Sequence, residues 1–243
     1  MNVLCVIPAR YASTRLPGKP LKDIAGKPMI CRVYERAAKA SRVAAAIVAT
    51  DDSRIYDAVL QHGGKAVMTR KEHPTGTDRL AEVAEKYQDV DLIINVQGDE
   101  PLIEPKLIDE LAAAFDGDAD LQMATVCTEI TDESEQQNPN NVKVVMDKQG
   151  YALYFSRSLL PYPRHEGTPV YKHIGIYAYK RDFLLAYAKM AETPLEHAES
   201  LEQLRALENG YRIKVIKTPY RFVGVDTTED LEKVNAIYRQ MQG

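Results

Sequence analysis

Arg10, Arg15 and Lys19 place three cations within ten residues of the stretch VIPARYASTRLPGKPL, in a chain of formal net charge −4. They follow the apolar run Leu4–Ile7 directly and are interleaved with Pro8, Pro17 and Pro20. Arginine forks and a lysine point charge suit phosphate oxygens, and prolines reduce the entropy a loop loses on closing. Neither G-x-G-x-x-G nor G-x-x-x-x-G-K-[ST] occurs, and Gly18 is the only glycine of the loop. Phosphate binding here must therefore rest on side-chain cations, with a solvated loop as the plain alternative. Asp99 in NVQGDEPLI and Asp226 in FVGVDTTEDL each follow an apolar run. Singly they read as a turn residue and a helix cap. Together with the cationic loop they make a metal–triphosphate site, because Mg²⁺ takes one or two carboxylates plus substrate phosphates.

A second constellation lies in SRSLLPYPR, YKHIGIY and LEHAESLEQLR. It offers Arg157, Arg164, Lys172, His173, Tyr177, Glu202 and Gln203, enough to line a polar pocket for a hydroxylated acid. The competing reading is structural: a satisfied histidine in a strand, and a solvated helix face.

The elements that must position these residues alternate through the first half. Val3–Ile7, Ala46–Ala49, Ala66–Met68, Leu92–Val96 and Met123–Val126 read as strands. Met29–Lys39, Ser53–Gln61, Asp78–Lys86 and Pro105–Phe115 carry the three-to-four spacing of amphipathic helices. Such alternation predicts an α/β fold, a mainly parallel sheet sandwiched by helices, with ligands beyond the strand carboxyl ends. Pro8–Pro20, Thr50–Asp52 and Gln97–Pro101 then share one rim. Beyond Thr128 the texture changes. Thr131–Asn141 reads as a loop, Val142–Met146 and Ala152–Phe155 as a hairpin, Val170–Tyr179 as a strand, and Glu196–Glu208 and Glu229–Gln240 as helices. The expectation is a single domain over 1–243 with a smaller β-rich lobe: a nucleotide-binding half over 1–128, an acceptor and dimerisation lobe over 129–222, and a helix over 227–241 returning to the main sheet.

The mild acidity argues against nucleic acid or an anionic membrane as partner. Cys5, Cys31 and Cys127 show no C-x-x-C pairing and sit in apolar stretches, as buried reduced thiols do. The opening MNVLCVIPAR lacks a leader's apolar stretch, and no run nears the roughly 18 residues of a membrane helix. A cytoplasmic protein is the expectation.

The ordered set IPARYASTRLPGKPL, IVATDD, PTGTDRLAE, NVQGDEP, NPNNVKVV, GYALYFSR, KHIGIYAY, PLEHAESLEQLR and GVDTTEDL resembles the 3-deoxy-manno-octulosonate (Kdo) cytidylyltransferase family over almost the whole chain. The resemblance implies a Rossmann-like fold of the nucleotide-diphospho-sugar-transferase type. It implies transfer of CMP from CTP to Kdo, with release of pyrophosphate, for lipopolysaccharide synthesis, and it implies Mg²⁺ and a homodimer. It assigns Arg10, Arg15 and Lys19 to the CTP phosphates, with Pro8, Ala9, Thr77 and Arg79 completing the nucleotide pocket. Asp99 and Asp226 match the magnesium carboxylates, and with Arg15 and Lys19 they form the catalytic set. Gln97, Arg157, Arg164, His173, Tyr177, Glu202 and Gln203 resemble the Kdo pocket. Two departures border that pocket: the short link HEGTPVYK, and Tyr162 where tryptophan is common. They leave 8-amino-Kdo open as the acceptor. A sialic-acid synthetase shares the opening loop, but KHIGIY and LEQLR fit Kdo enzymes better. Val142–Phe155 is the expected dimer contact.

Overall fold

The structure, a computed structural model, describes residues 1–12, 16–165, 167–220 and 222–242. Arg15, expected to hold phosphate, lies outside the described residues. In chain order the elements are β1 (Val3–Ala9), a 3-10 turn (Lys19–Leu21), β2 (Asp23–Ile24), β3 (Lys27–Pro28), α1 (Met29–Ala37), β4 (Ala45–Thr50), α2 (Ser53–Gln61), β5 (Ala66–Met68), α3 (Gly76–Lys86), β6 (Leu92–Asn95) and α4 (Pro105–Ala113). There follow β7 (Met123–Ile130), α5 (Glu133–Gln137), β8 (Lys143–Met146), β9 (Ala152–Ser156), β10 (Val170–Lys180), α6 (Arg181–Tyr187), α7 (Pro194–Glu199), α8 (Gln203–Glu208), β11 (Ile213–Lys217) and α9 (Thr228–Gln242).

The chain divides into two compact units, residues 1–109 with 222–243 and residues 110–221. The boundary falls inside α4 rather than near residue 128. The reason is strand pairing: β7 lies between β10 and β11 and so belongs to the second unit.

In the first unit β6, β1, β4 and β5 run parallel in that order. Every residue of β1 except Pro8 is buried, and β6 is buried throughout, the continuous apolar run expected of strands covered on both faces. Parallel order brings the carboxyl ends of β1, β4 and β6 to one edge, where ligands of such sheets bind. Helix α9 packs its Val234 and Tyr238 with Leu16, Ile24, Met29 and Val225. Burying each of these larger aliphatic side chains is worth about 1.5–3 kcal/mol. Asn235 adds polar ties, accepting from Ala25 N–H at 2.9 Å and donating to Asp23 O at 3.1 Å.

The second unit is mixed. β11 pairs parallel with β7, and β7–β10, β10–β8 and β8–β9 pair antiparallel. The expected hairpin is present as β8–β9. Two expectations change. Thr131–Asn141 holds a short helix, α5, whose first turn is capped by Asp132 accepting from Glu135 N–H at 3.0 Å. The helix expected over Glu196–Glu208 is two helices, broken at Ser200, whose φ of 51° is left-handed. The pieces are tied by Arg205, which donates from Nε and Nη2 to the two oxygens of Glu196 at 2.8 and 2.5 Å.

Cys5, Cys31 and Cys127 are buried reduced thiols, and burial pushes Cys5 and Cys127 up to about 12. No helix among the described residues is long and apolar enough to cross a membrane.

Candidate functional site

The β1 exit delivers Pro8, Ala9 and Arg10, and the β6 exit delivers Gln97, Gly98 and Asp99. These two loops touch: a Cβ on Gly98 would lie 2.8 Å from Pro8 O, so only glycine permits the approach. Asp226 is brought alongside by a backbone bond, Val225 N–H to Asp99 O at 2.9 Å. The α9 cap is Thr227 rather than Asp226. Thr227 Oγ1 accepts from Asp230 N–H at 3.2 Å, and the Asp230 carboxylate accepts from Thr227 N–H at 3.1 Å, a reciprocal cap. Asp226 is thereby left for the site.

Gly18, at φ 66°, opens the 3-10 turn and directs Lys19 at both carboxylates. The Lys19 ammonium lies 2.6 Å from Asp99 Oδ2 and 3.0 Å from Asp226 Oδ1. Burial pulls its pKa down, but the two carboxylates outweigh that and hold it above the ordinary lysine value. These groups edge a cavity of about 520 Å³ walled by residues 8–10, Ala12, Lys19, Pro20, residues 97–99 and Asp226. That size suits a small-molecule ligand.

The donor chemistry fits Mg²⁺. Two carboxylates converge on one cationic centre; among the described residues no group of three or more acidic, His or Cys side chains could hold a metal ion. Two carboxylates completed by ligand oxygens is the set Mg²⁺ prefers.

Arg10 donates to His73 O and, at 3.3 Å, to Thr75 O. The loop carrying those carbonyls is itself anchored to α3. Glu82 accepts from Arg70 N–H at 2.9 Å and Lys86 Nζ at 2.8 Å, and its Oε2 lies 2.5 Å from His73 Nε2. Thr77 and Arg79, expected in the nucleotide pocket, sit on α3 and do not line this cavity. Arg79 is wholly buried, bonded to Thr69 Oγ1 and 3.4 Å from Asp51 Oδ2. Its Nε has no partner among the described residues, and burial lowers its pKa.

In the second unit His173 Nε2 lies 3.0 Å from Thr125 Oγ1, whose hydroxyl also reaches Ile176 O at 2.8 Å. A carbonyl can only accept, so the hydroxyl proton goes to Ile176 and His173 Nε2–H donates to Thr125. The imidazole is held neutral, burial pushing its pKa down to about 3. Its ring meets Phe155 edge-on at 5.0 Å and Tyr177 at 5.4 Å. Burial, then Glu202, pushes the Tyr177 phenol above its usual range. Gln203 is buried, and its Nε2 has no partner among the described residues, an unused donor of the kind a ligand satisfies. Arg157 is held by backbone carbonyls beside Ser200. Arg164 is set apart from it, edging a separate cavity of about 410 Å³ with Glu129, Gln136 and Thr168. Lys143, Thr125 and Glu199 were not singled out by spacing. The one signal was a lysine inside the apolar run VKVV.

With this geometry in place, the chain can be set beside known proteins. The sequence pattern of the cytidylyltransferase family matches residues 4–215. The chain belongs to the cytidylyltransferase family. It is 58% identical over 235 residues to the 3-deoxy-manno-octulosonate cytidylyltransferase of Fusobacterium nucleatum, with 96% of each chain covered. It is 54% identical over 246 residues to that of Geobacter metallireducens, again covering 96% of each. A solved structure of CMP:2-keto-3-deoxy-manno-octonic acid synthetase complexed with CTP is 49% identical and superposes with a TM-score of 0.95, over 99% of this cytidylyltransferase and 100% of that chain. A Leptospira borgpetersenii cytidylyltransferase, 19% identical with a TM-score of 0.65 over 99% of this chain and 87% of that one, shares the fold.

Proposed function

We propose that this cytidylyltransferase transfers CMP from CTP to the anomeric C2 hydroxyl of Kdo, giving CMP-Kdo and pyrophosphate. The observation that carries the reading is the Lys19 ammonium held between Asp99 and Asp226 at the cavity edge, in a chain 58% identical to a relative named for this reaction. The hydroxyl oxygen bonds to the α-phosphorus, the bond to the β-phosphate bridging oxygen breaks, and the hydroxyl proton is lost. Charge grows on the departing pyrophosphate, where a fixed ammonium stabilises it more than it stabilises bound CTP. Lys19 supplies that charge, and Arg10 and Arg15 orient the triphosphate. Mg²⁺ held by Asp99 and Asp226 would neutralise phosphate charge and make the attacking hydroxyl easier to deprotonate.

On the acceptor side, Arg157 attracts the sugar acid's carboxylate and His173, Tyr177, Glu202 and Gln203 address its hydroxyls, while Gln97 belongs to the first-unit cavity and Arg164 to the separate one. The buried, unused Gln203 Nε2 supports this assignment. Thr77 and Arg79 act from behind the nucleotide site by fixing α3. The proposal extends to a cytoplasmic homodimer serving lipopolysaccharide synthesis, with the β8–β9 hairpin as its contact, where Leu153 is 63% exposed.

The deciding experiment measures pyrophosphate release with CTP and Mg²⁺ across Kdo, 8-amino-Kdo and sialic acid. Release with Kdo is the expected result. Release only with another acid overturns the acceptor assignment, and no release with any overturns the activity.

A further inference from the structure

Lys143 is wholly buried on β8, and its ammonium donates to two backbone carbonyls, Arg157 O at 2.6 Å and Asn138 O at 3.0 Å. Burial pulls its pKa down. An ammonium withdrawn from water is costly to keep, so what it holds in place is informative. One carbonyl is Arg157's own, and the other belongs to a segment that grips the Arg157 side chain. Residue 139, beside Asn138, accepts from Arg157 Nη1 through Pro139 O at 3.2 Å. Across the guanidinium, Glu199 O accepts from Nε at 2.7 Å and Ser200 O from Nη2 at 3.3 Å. The Glu199 carboxylate closes the frame, accepting from Arg157 N–H at 2.9 Å and Ser156 Oγ at 2.5 Å.

The guanidinium is thus gripped by three carbonyls, with no carboxylate within ion-pair distance among the described residues. Its charge is oriented but not neutralised. A guanidinium carries five N–H groups, so donors remain on Nη1 and Nη2 for a second, anionic partner.

We infer that Lys143 is a positioning residue for acceptor recognition: by fixing Asn138 O and Arg157 O it holds the Arg157 guanidinium in the orientation that receives the acceptor's carboxylate. This rests on the acceptor role proposed for Arg157. A buried lysine replaced by a neutral residue frees the Arg157 backbone and the 138–139 turn together, and the guanidinium loses its alignment.

The test is a double-mutant cycle of Lys143→Met and Arg157→Ala, reading KM for Kdo and KM for CTP separately. Lys143→Met is expected to raise KM for Kdo about 10-fold, the worth of a hydrogen bond to a charged group, and to leave KM for CTP unchanged. In the Arg157→Ala background it should raise KM for Kdo no further. Equal effects in both backgrounds, or a joint rise in both KM values, overturn the inference. So does an unchanged KM for Kdo in Lys143→Met when Arg157→Ala raises it. An unchanged KM in Arg157→Ala overturns the acceptor role of Arg157 instead. If Lys143→Met does not fold, Lys143→Arg carries the same cycle: coupling to Arg157 supports the inference, and additive effects or no change overturn it.

Discussion

The Lys19 ammonium lies 2.6 Å from Asp99 Oδ2, although the two residues are eighty positions apart in the chain. A lysine of the phosphate loop is thereby the counter-ion of a carboxylate expected to hold metal. Replacing it with methionine keeps the stem and removes the charge. Lys19→Met is expected to lower kcat by about 10²–10³-fold, as loss of a preorganised charge at a leaving group does. Single-turnover pyrophosphate release measures it, and near-normal turnover would remove Lys19 from the chemistry.

Asp226 separates the helix-cap reading that local sequence favours from the metal-binding one. Since Thr227 caps α9, Asp226→Asn should leave thermal stability within about 1 kcal/mol, a surface-type effect. It should nonetheless lower kcat and raise the magnesium concentration needed for half-maximal rate. A variant that melts early yet turns over normally would return Asp226 to a structural role.

The first unit was legible because a parallel sheet buried on both faces leaves continuous apolar runs, and its helices leave a clean period. The expected Ser53–Gln61 helix and Ala66–Met68 strand match α2 and β5. The second unit was less so. Its strands are mixed in direction, α6 and β11 leave weak local patterns, and Ser200, whose carbonyl accepts from the distant Arg157 at 3.3 Å, interrupts an otherwise helical sequence. Lys143 is hidden for the same reason: its partners are carbonyls, which no residue type announces.

That break can be tested directly. A non-glycine residue at φ 51° costs about 1–2 kcal/mol, whereas glycine adopts it freely but loses more entropy on folding. Ser200→Gly is expected to be near neutral in urea unfolding, and Ser200→Val to destabilise by about 1–2 kcal/mol. Equal effects of the two would mean that the left-handed turn is not retained in solution.

Glu82 acts on Arg10 through the 70–75 loop. Burial raises its carboxyl, but Lys86, Arg70 N–H and His73 outweigh that and hold it at about 2. The folded value lies below the ordinary 4.5, so this stability is complete above about pH 4.5 and is lost as pH falls toward 2. Glu82→Gln should cost about 1–2 kcal/mol at neutral pH, a difference from wild type that shrinks below about pH 4.5. KM for CTP should rise several-fold as Arg10 loses its fixed carbonyls. A pH-independent stability difference would contradict the charge argument.

His173 shifts in the same direction as Glu82, but the fold holds it neutral rather than charged. Its folded value is about 3 against an ordinary 6.5, so below pH 6.5 the unfolded chain binds a proton that the folded chain refuses. Stability therefore falls as pH drops through 6.5, by up to about 1.4 kcal/mol per pH unit, until the half-buried imidazole itself protonates near 3. His173→Gln can still donate an amide N–H toward Thr125 Oγ1 but cannot titrate. The variant is expected to be less stable than wild type at neutral pH, from lost contact with Phe155 and Tyr177. Its stability should then fall less between about pH 7 and 5, so the two curves converge. Urea unfolding across that range provides the measurement. Parallel curves would show that the unfolded and folded chains protonate His173 alike, and the imidazole would then be open to water rather than locked neutral against Thr125.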